Sequence, residues 1–385
     1  MSRVLVDSQM SIRNKVRVVQ ACTGYPPDRV GGVENVVRSI VSGLPRSQFS
    51  TTVLTRLWRK KIGSAFVTQL VTLPGEATGY FTWALSAAAV VLGTHPDILH
   101  CHGLEGAVLC NTAKLGVGAK VMHVHNSLSR EEHFLDSRMH RWGYELQTNA
   151  CMEADVVVCP TSVVRDDIMR HLPAMRSRDI VVIPNPVDVG CIYSKEDLNS
   201  LREKWGLVGK KVILYFGKIK RSKGVEEICQ AYETLPSKDN IKLVIAGAPT
   251  TTGKFFAQLQ ETYPDVIFTG FVKDPAIFYQ IADLFCIYTA GFEGGETFAV
   301  ALAQAMRQKV PVVCSDNPIF HEVTNDAAFF AKPHDPDALS EVLSTAFADP
   351  IGTKALAERA FRVAEKEYAP DVFVARLQAL YSFLA

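Results

Sequence analysis

Two segments of the chain carry residue types whose spacing suits a diphosphate. In the first, residues 291–306, a glycine-rich acidic turn, Gly291-Phe292-Glu293-Gly294-Gly295-Glu296, runs through Thr297-Phe298-Ala299-Val300 into an apolar helical pattern ending near Met306. N–H groups around Phe298 and Ala299, in the first turn of that predicted helix, lack intrahelical acceptors and lie at the positive end of its dipole, where phosphate oxygens bind well. Glu296 just before the helix and Gln304 within it are eight residues apart. That is about 12 Å at helical rise, so the pair could touch opposite ends of a sugar nucleotide. In the second segment, Lys211 to Phe216 reads as a buried strand, and Gly217-Lys218-Ile219-Lys220-Arg221-Ser222-Lys223-Gly224 follows it directly. A lone basic cluster is more often a solvated turn. Here it lies at the carboxyl end of a strand, where α/β sheets bind ligands, and Lys218 and Lys223 are compact cations of the kind a diphosphate needs.

The rest of the composition narrows the class. The 385 residues are 48% apolar with a formal net charge of +1, which suits two packed domains and offers no global argument for nucleic acid. No nucleic-acid partner is expected, because basic and aromatic residues do not interleave. Nine cysteines, odd in number and without a Cys-x-x-Cys pair, point to buried free thiols rather than a disulfide framework or a zinc site. The longest apolar stretch, Phe81 to Leu92, is too short to span a bilayer, and a cytoplasmic chain is expected. Arg56-Leu57-Trp58-Arg59-Lys60-Lys61 is a candidate contact for anionic lipid head groups at the cytoplasmic face, with a solvated loop as the simpler account.

The elements that must position these residues follow from hydrophobic periodicity. Val16 to Ala21 is an apolar run, and a loop with Gly31-Gly32-Val33-Glu34 leads to helical spacing of Val36, Val37, Ile40, Val41 and Leu44. Further strands are predicted at Thr51 to Leu54, Ile98 to Cys101, Lys120 to His125, Val156 to Cys159 and Ile180 to Ile183. After a break near Pro184-Asn185-Pro186-Val187-Asp188, a second series runs through Lys211 to Phe216, Lys242 to Ala246, Val266 to Thr269, Leu284 to Tyr288 and Val310 to Cys314. Strands alternating with helices imply parallel, helix-flanked sheets. The fold class is α/β: two Rossmann-like domains facing across a cleft, residues 1–190 and 191–366, with a C-terminal helix, 367–385, returning to the first domain.

The ordered series of motifs resembles the retaining glycosyltransferases of family 4, with GT-B architecture. It comprises Gly31 to Glu34, Pro96 to Gly103, His123-Val124-His125-Asn126, Ala154 to Val158, Ile183 to Asp188, Gly217 to Gly224, Thr269-Gly270-Phe271-Val272, the Glu296 segment and Pro311-Val312-Val313. The agreement in order and spacing runs from about residue 16 to the end, and it is the series that is specific, since any one motif is weak.

By that resemblance Lys218 stands where the family has Arg, Lys223 where it has Lys, and both hold the donor diphosphate. Glu296 matches the first acid of the family's Glu-x7-Glu pattern, in contact with donor-sugar hydroxyls. Gln304 replaces the second, which reaches the ribose. Glu293 is a rival for the first acid, but Phe298-Ala299-Val300 follows Glu296 as the family's turn does. Ala299 stands where Gly is common and is expected to fit helical dihedrals, with its methyl narrowing the phosphate's approach. His125 matches the first-domain active-site histidine, and His102 and Asn126 are expected on the acceptor side, although a lone histidine is more often structural. Gly31 and Gly32 are expected near the donor or acceptor, a helix-entry turn being the alternative. With them Gly217, Phe271, Val272, Phe298, Ala299, Val300 and Gln304 make up the expected donor site. Core packing by itself explains Phe285, Phe298 and Met306, while Asn185, Asp188 and Glu322 read as structural.

The resemblance implies transfer of a hexose from a nucleotide sugar, UDP- or GDP-linked, to a hydroxyl acceptor with retention. The acceptor is expected to be a lipid-linked glycan or polysaccharide precursor, chosen by loops at Gly75 to Tyr80 and Ser127 to Arg138. No metal or other cofactor is expected, because fixed cations supply the charge and no Asp-x-Asp is flanked by strand. Two alternatives stay open: a sugar-nucleotide epimerase or phosphorylase on the same architecture, and a non-catalytic partner subunit, suggested by the joint departures at Lys218, Ala299 and Gln304.

Overall fold

The computed structural model of the chain describes residues 15–26, 31–56, 67–70, 76–113, 115–128, 138–175, 179–236, 238–249, 253–289 and 296–385. Glu293, the cluster around Trp58 and most of the Ser127 to Arg138 segment lie outside the described residues.

Two all-parallel sheets form the frame. The first comprises β1 (Val16–Ala21), β2 (Phe49–Arg56), β3 (Val67–Leu70), β4 (Ile98–His102), β5 (Ala119–His123), β6 (Val156–Cys159) and β7 (Ile180–Val182), in the order β3-β2-β1-β4-β5-β6-β7. The second comprises β8 (Lys211–Phe216), β9 (Ile241–Ala246), β10 (Ile267–Gly270), β11 (Leu284–Ile287), β12 (Val312–Ser315) and β13 (Phe329–Ala331), in the order β10-β9-β8-β11-β12-β13. Both are doubly wound, and the strand order reverses between β1 and β4 and between β8 and β11, the points where such sheets bind ligands. Residues 76–80, expected as a loop, begin the helix Glu76–Thr94, an Ala-rich segment with no Gly or Pro between Gly79 and Gly93.

Alternation along β4 and β5 sorts side chains onto two faces. Leu99, Cys101 and Met122 face a core that includes Trp83, Leu109 and Ala150. On the opposite face Ile98 and Val121 join Val36 and Ile40 of α1 (Gly32–Gly43) and Phe373, Leu377 and Tyr381 of the final helix (Pro370–Leu384). That final helix follows the second sheet in sequence yet packs on the first. It is approached through Pro350–Tyr368, which ends where Val187 N–H donates to Tyr368 O at 2.8 Å. Chain passes between the two sheets twice, at residues 183–194 and 369–370.

Candidate functional site

The loop after β8 is shaped by backbone crowding. Gly224 takes the left-handed conformation (φ 60°), and a Cβ there would lie 1.9 Å from Tyr288 O. Gly247, after β9, lies equally close to the loop, since its Cβ would meet Gly217 O at 1.8 Å. The short 3₁₀ turn Arg221–Lys223 is thereby pressed against the end of β11, where Thr289 Oγ1 donates to Ser222 O at 3.2 Å. Lys223 leaves this turn and forms an ion pair with Glu296, both side chains largely buried, at 15% and 13% exposure. Lys218 is exposed, and its carbonyl oxygen accepts from Tyr215 OH at 3.0 Å.

Thr297, next to Glu296, joins the two halves of the chain. Its Oγ1 donates to His125 O at 2.9 Å, and its carbonyl accepts from Thr161 Oγ1 at 3.1 Å. Lys223, Glu296 and His125, separated by 73 and 171 positions in sequence, are thus brought to one place by the β8–β11 switch point and the carboxyl end of β5. Sequence reasoning passed over Thr297 and Thr161, which carry no motif and act through main-chain contacts.

The helix after Glu296 begins later than expected. It spans Val300–Arg307, and Ala299 before it is left-handed (φ 56°, ψ 67°) rather than helical. This corrects the expectation for Ala299 and explains why Gly suits the position: a Cβ in that region costs about 1 kcal/mol. The first N–H of the segment to donate to a described residue is that of Leu302, to Ala299 O at 3.0 Å. Phe298 is core, as its apolar type suggested: it is 1% exposed and its ring meets that of Tyr368 edge-on at 4.9 Å between centroids. Gln304 is half-buried, with Tyr279 OH donating to Oε1 at 3.5 Å. Phe271, beyond β10, is 78% exposed, and Val272 follows it half-buried. Gly31 caps α1 in extended conformation with Gly32 opening the helix, and among the described residues no hydrogen bond joins either to Lys223, Glu296 or His125.

His125 belongs to a column of polar side chains on one face of β4 and β5. His100 and His102 alternate along β4; His123 pairs with His102 in register, and His125 lies two residues on. Rings of His123 and His125 stack at 4.3 Å, and those of His100 and His102 approach to 4.2 Å. Desolvation pulls the pKa of His125 down to about 4 and holds His100, His102 and His123 well below the ordinary imidazole value, so all four are neutral near pH 7. His102, expected to face an acceptor, is fully buried behind His125 with both nitrogens engaged, to His125 Nε2 at 3.1 Å and Gln20 Oε1 at 2.8 Å. Asn126, the residue after His125, is half-buried. One nitrogen each of His100, His102 and His123 lie within 4.8 Å of one another, a spacing that invites a metal ion. The rings of His100 and His123, however, are parallel to within 4° at 5.4 Å, so their in-plane lone pairs run side by side instead of converging. Sequence reasoning missed His100 and His123; the signal was there as His-x-His spacing on two adjacent strands.

A cavity of about 420 Å³ lies elsewhere, at the amino ends of β8, β11 and β12 beneath Lys211, Leu284 and Pro311. It contains none of the candidate residues and occupies the end of the sheet that α/β folds do not use for ligands. Among the described residues no helix is long and apolar enough to cross a membrane.

Two family models match the chain: Glycosyltransferase Family 4 over residues 30–190 and Glycosyl transferases group 1 over residues 198–363. O-antigen chain mannosyltransferase B of Escherichia coli is 30% identical over 145 residues, which is 36% of this chain and only 37% of that protein. An uncharacterized glycosyltransferase of Methanocaldococcus jannaschii is 23% identical over 356 residues, covering 84% of this chain and 87% of that protein. Among solved structures, Anabaena HepE in complex with UDP and glucose superposes with a TM-score of 0.77 at 20% identity, over 96% of this chain and 100% of that one.

Proposed function

The chain belongs to the family 4 glycosyltransferases and has their GT-B fold, and from that premise we propose that it transfers a hexose from a UDP- or GDP-linked sugar to a hydroxyl acceptor with retention of configuration. The observation that carries this reading is the convergence of Lys223, Glu296 and His125, with Thr297 holding the last two together. In the proposed complex the donor diphosphate replaces Glu296 as the partner of Lys223, and the freed carboxylate accepts hydroxyls of the donor sugar. Charge grows on the β-phosphate oxygen as the glycosidic bond breaks, so fixed cations at Lys218 and Lys223 and the N–H groups at Phe298 to Ala301 stabilise the transition state more than the ground state. The reading needs no metal, because these groups supply the positive charge. Phe271 offers an exposed ring to the nucleobase beside Val272, and Gln304 reaches the ribose as a neutral acceptor. Its loss of charge relative to Glu costs about 1 kcal/mol of binding.

Retention is supported by the resemblance: the leaving phosphate takes the acceptor's proton on the same face, and paired carboxylates of the glycosidase kind are not required. His125 and Asn126 lie on the side from which the acceptor enters. The relationship to an O-antigen chain mannosyltransferase and to HepE, solved with UDP and glucose, supports a nucleotide-sugar donor and a lipid-linked glycan or polysaccharide acceptor.

A thermal-shift series with UDP-glucose, UDP-N-acetylglucosamine, GDP-mannose and ADP-glucose tests the donor site, because a ligand bound only to the native state raises Tm. One nucleotide class is expected to give a clear rise that Lys223→Ala removes. No rise with any donor would sink the proposal in favour of a non-catalytic partner subunit.

A further inference from the structure

We propose that Tyr381, in the last helix of the chain, fixes the tautomer of His125 by acting through Gln20 and His102. An unbroken line of hydrogen bonds joins them. Tyr381 OH meets His100 Nδ1 at 2.5 Å and accepts from Gln20 Nε2 at 2.9 Å. Gln20 Oε1 meets His102 Nε2 at 2.8 Å, and His102 Nδ1 meets His125 Nε2 at 3.1 Å. Gln20, His100, His102 and Tyr381 are all fully buried, so water does not compete for any link behind His125.

Because the imidazoles are neutral, each has one N–H and one lone pair, and each link determines the next. The Gln20 amide sets the polarity. Its oxygen faces His102, which must donate from Nε2; the Nδ1 of His102 is then a lone pair, and His125 must donate to it from Nε2. His125 is left with a lone pair on Nδ1, the form able to accept a proton or a hydroxyl hydrogen bond. At the other end the Gln20 NH₂ needs an acceptor, which Tyr381 oxygen provides while donating its own proton to His100 Nδ1. Without Tyr381 the Gln20 NH₂ loses its buried acceptor, and the amide orientation that sets the polarity of the line is no longer held. Gln20 and Tyr381 are positioning residues, 361 positions apart, and the return of the final helix to the first sheet is what joins them.

The effect on transfer rests on the proposed role of His125, whereas the tautomer is observable without it. Long-range ¹H–¹⁵N spectra of protein with ring-labelled histidine should show His125 and His102 protonated on Nε2. In Tyr381→Phe, which keeps the ring, and in Gln20→Met, which cuts the line elsewhere, His125 should show mixed tautomers. The donor KM should stay within about twofold while kcat falls about tenfold, the scale of a partly lost acid–base contribution. A wild-type His125 protonated on Nδ1, or a tautomer unchanged in both variants, overturns the proposal. Mixed tautomers at unchanged kcat would uphold the line and overturn the role of His125 in transfer.

Discussion

At the scale of single residues, the ion pair of Lys223 and Glu296 has two duties that can be separated. Both side chains are mostly out of water, and removing one partner leaves the other's charge poorly compensated, whereas removing both does not. Lys223→Met should therefore cost about 2 kcal/mol of stability, and adding Glu296→Gln should restore at least about 1 kcal/mol of it, a coupling that urea denaturation of the two single and one double variant would measure. Strictly additive losses would mean that the two groups do not depend on each other in solution. The same double variant should still fail to bind donor, since neutral residues of similar size restore stability without restoring a cation for phosphate. Each of these residues was legible from its place after a strand or before a helix. Their pairing was not, because contact across 73 positions depends on how the Gly224 loop packs against Tyr288.

At the scale of elements, the histidine column on β4 and β5 links sheet geometry to pH. Near neutral pH the folded protein holds these rings uncharged, while in the unfolded chain they titrate near 6.5. As pH falls below 6.5 the unfolded state takes up protons that the folded state refuses, so stability declines; for His125 the decline ends near pH 4, its folded value, and His100, His102 and His123, also held well below the ordinary imidazole value, add to it. Each such histidine contributes a slope of about 1.4 kcal/mol per pH unit, so unfolding midway through the window, near pH 5.3, should take up more than two protons. His123 is the informative one to replace, because neither ring nitrogen has a hydrogen-bond partner among the described residues. His123→Leu should flatten the slope by about 1.4 kcal/mol per unit, read from urea midpoints at stepped pH; an unchanged slope would refute the account. Apolar runs made most strands legible, Val156–Cys159 and Lys211–Phe216 to the residue. Lys120 to His125 was read too long, because β5 stops at His123 and the chain then turns to meet Thr297. β3 and β13 escaped notice: Val67–Leu70 is half polar, and Phe329–Ala331 is only three residues long. The column itself was hidden because a histidine judged alone reads as an ordinary core residue, and only strand register stacks four of them.

At the scale of the whole molecule, what has to be maintained is the alignment of one sheet's ligand end with the other's. Glu322, in the helix Pro318–Thr324 of the second half, is the main polar tie. Its carboxylate accepts from Ser162 N at 2.6 Å, Ser162 Oγ at 2.8 Å and Val163 N at 3.1 Å, at the start of the helix Ser162–His171 in the first half. A negative charge there satisfies helix N–H groups that have no intrahelical acceptor and lies at the favourable end of the dipole. Thr161, the N-cap of the same helix, reaches the Thr297 carbonyl. The tie at Glu322 and the bridge at Thr297 are therefore consecutive contacts of one helix end, and loosening the first should misalign the second. Glu322→Ala removes three hydrogen bonds without touching Lys223, Glu296 or His125. Binding of free nucleotide, which the proposed donor site assigns to the second half, should be unchanged. Transfer should fall roughly tenfold or more, since reacting groups displaced by about 1 Å lose that much or more, and the radius of gyration from small-angle scattering should rise. Glu322→Gln keeps an acceptor oxygen and should lie between. If Glu322→Ala left scattering and transfer as they were, the two halves would be held in register by the hinge contacts of Val187 with Tyr368 and of Val189 with Gln308, and the start of helix Ser162–His171 would be a cap and nothing more.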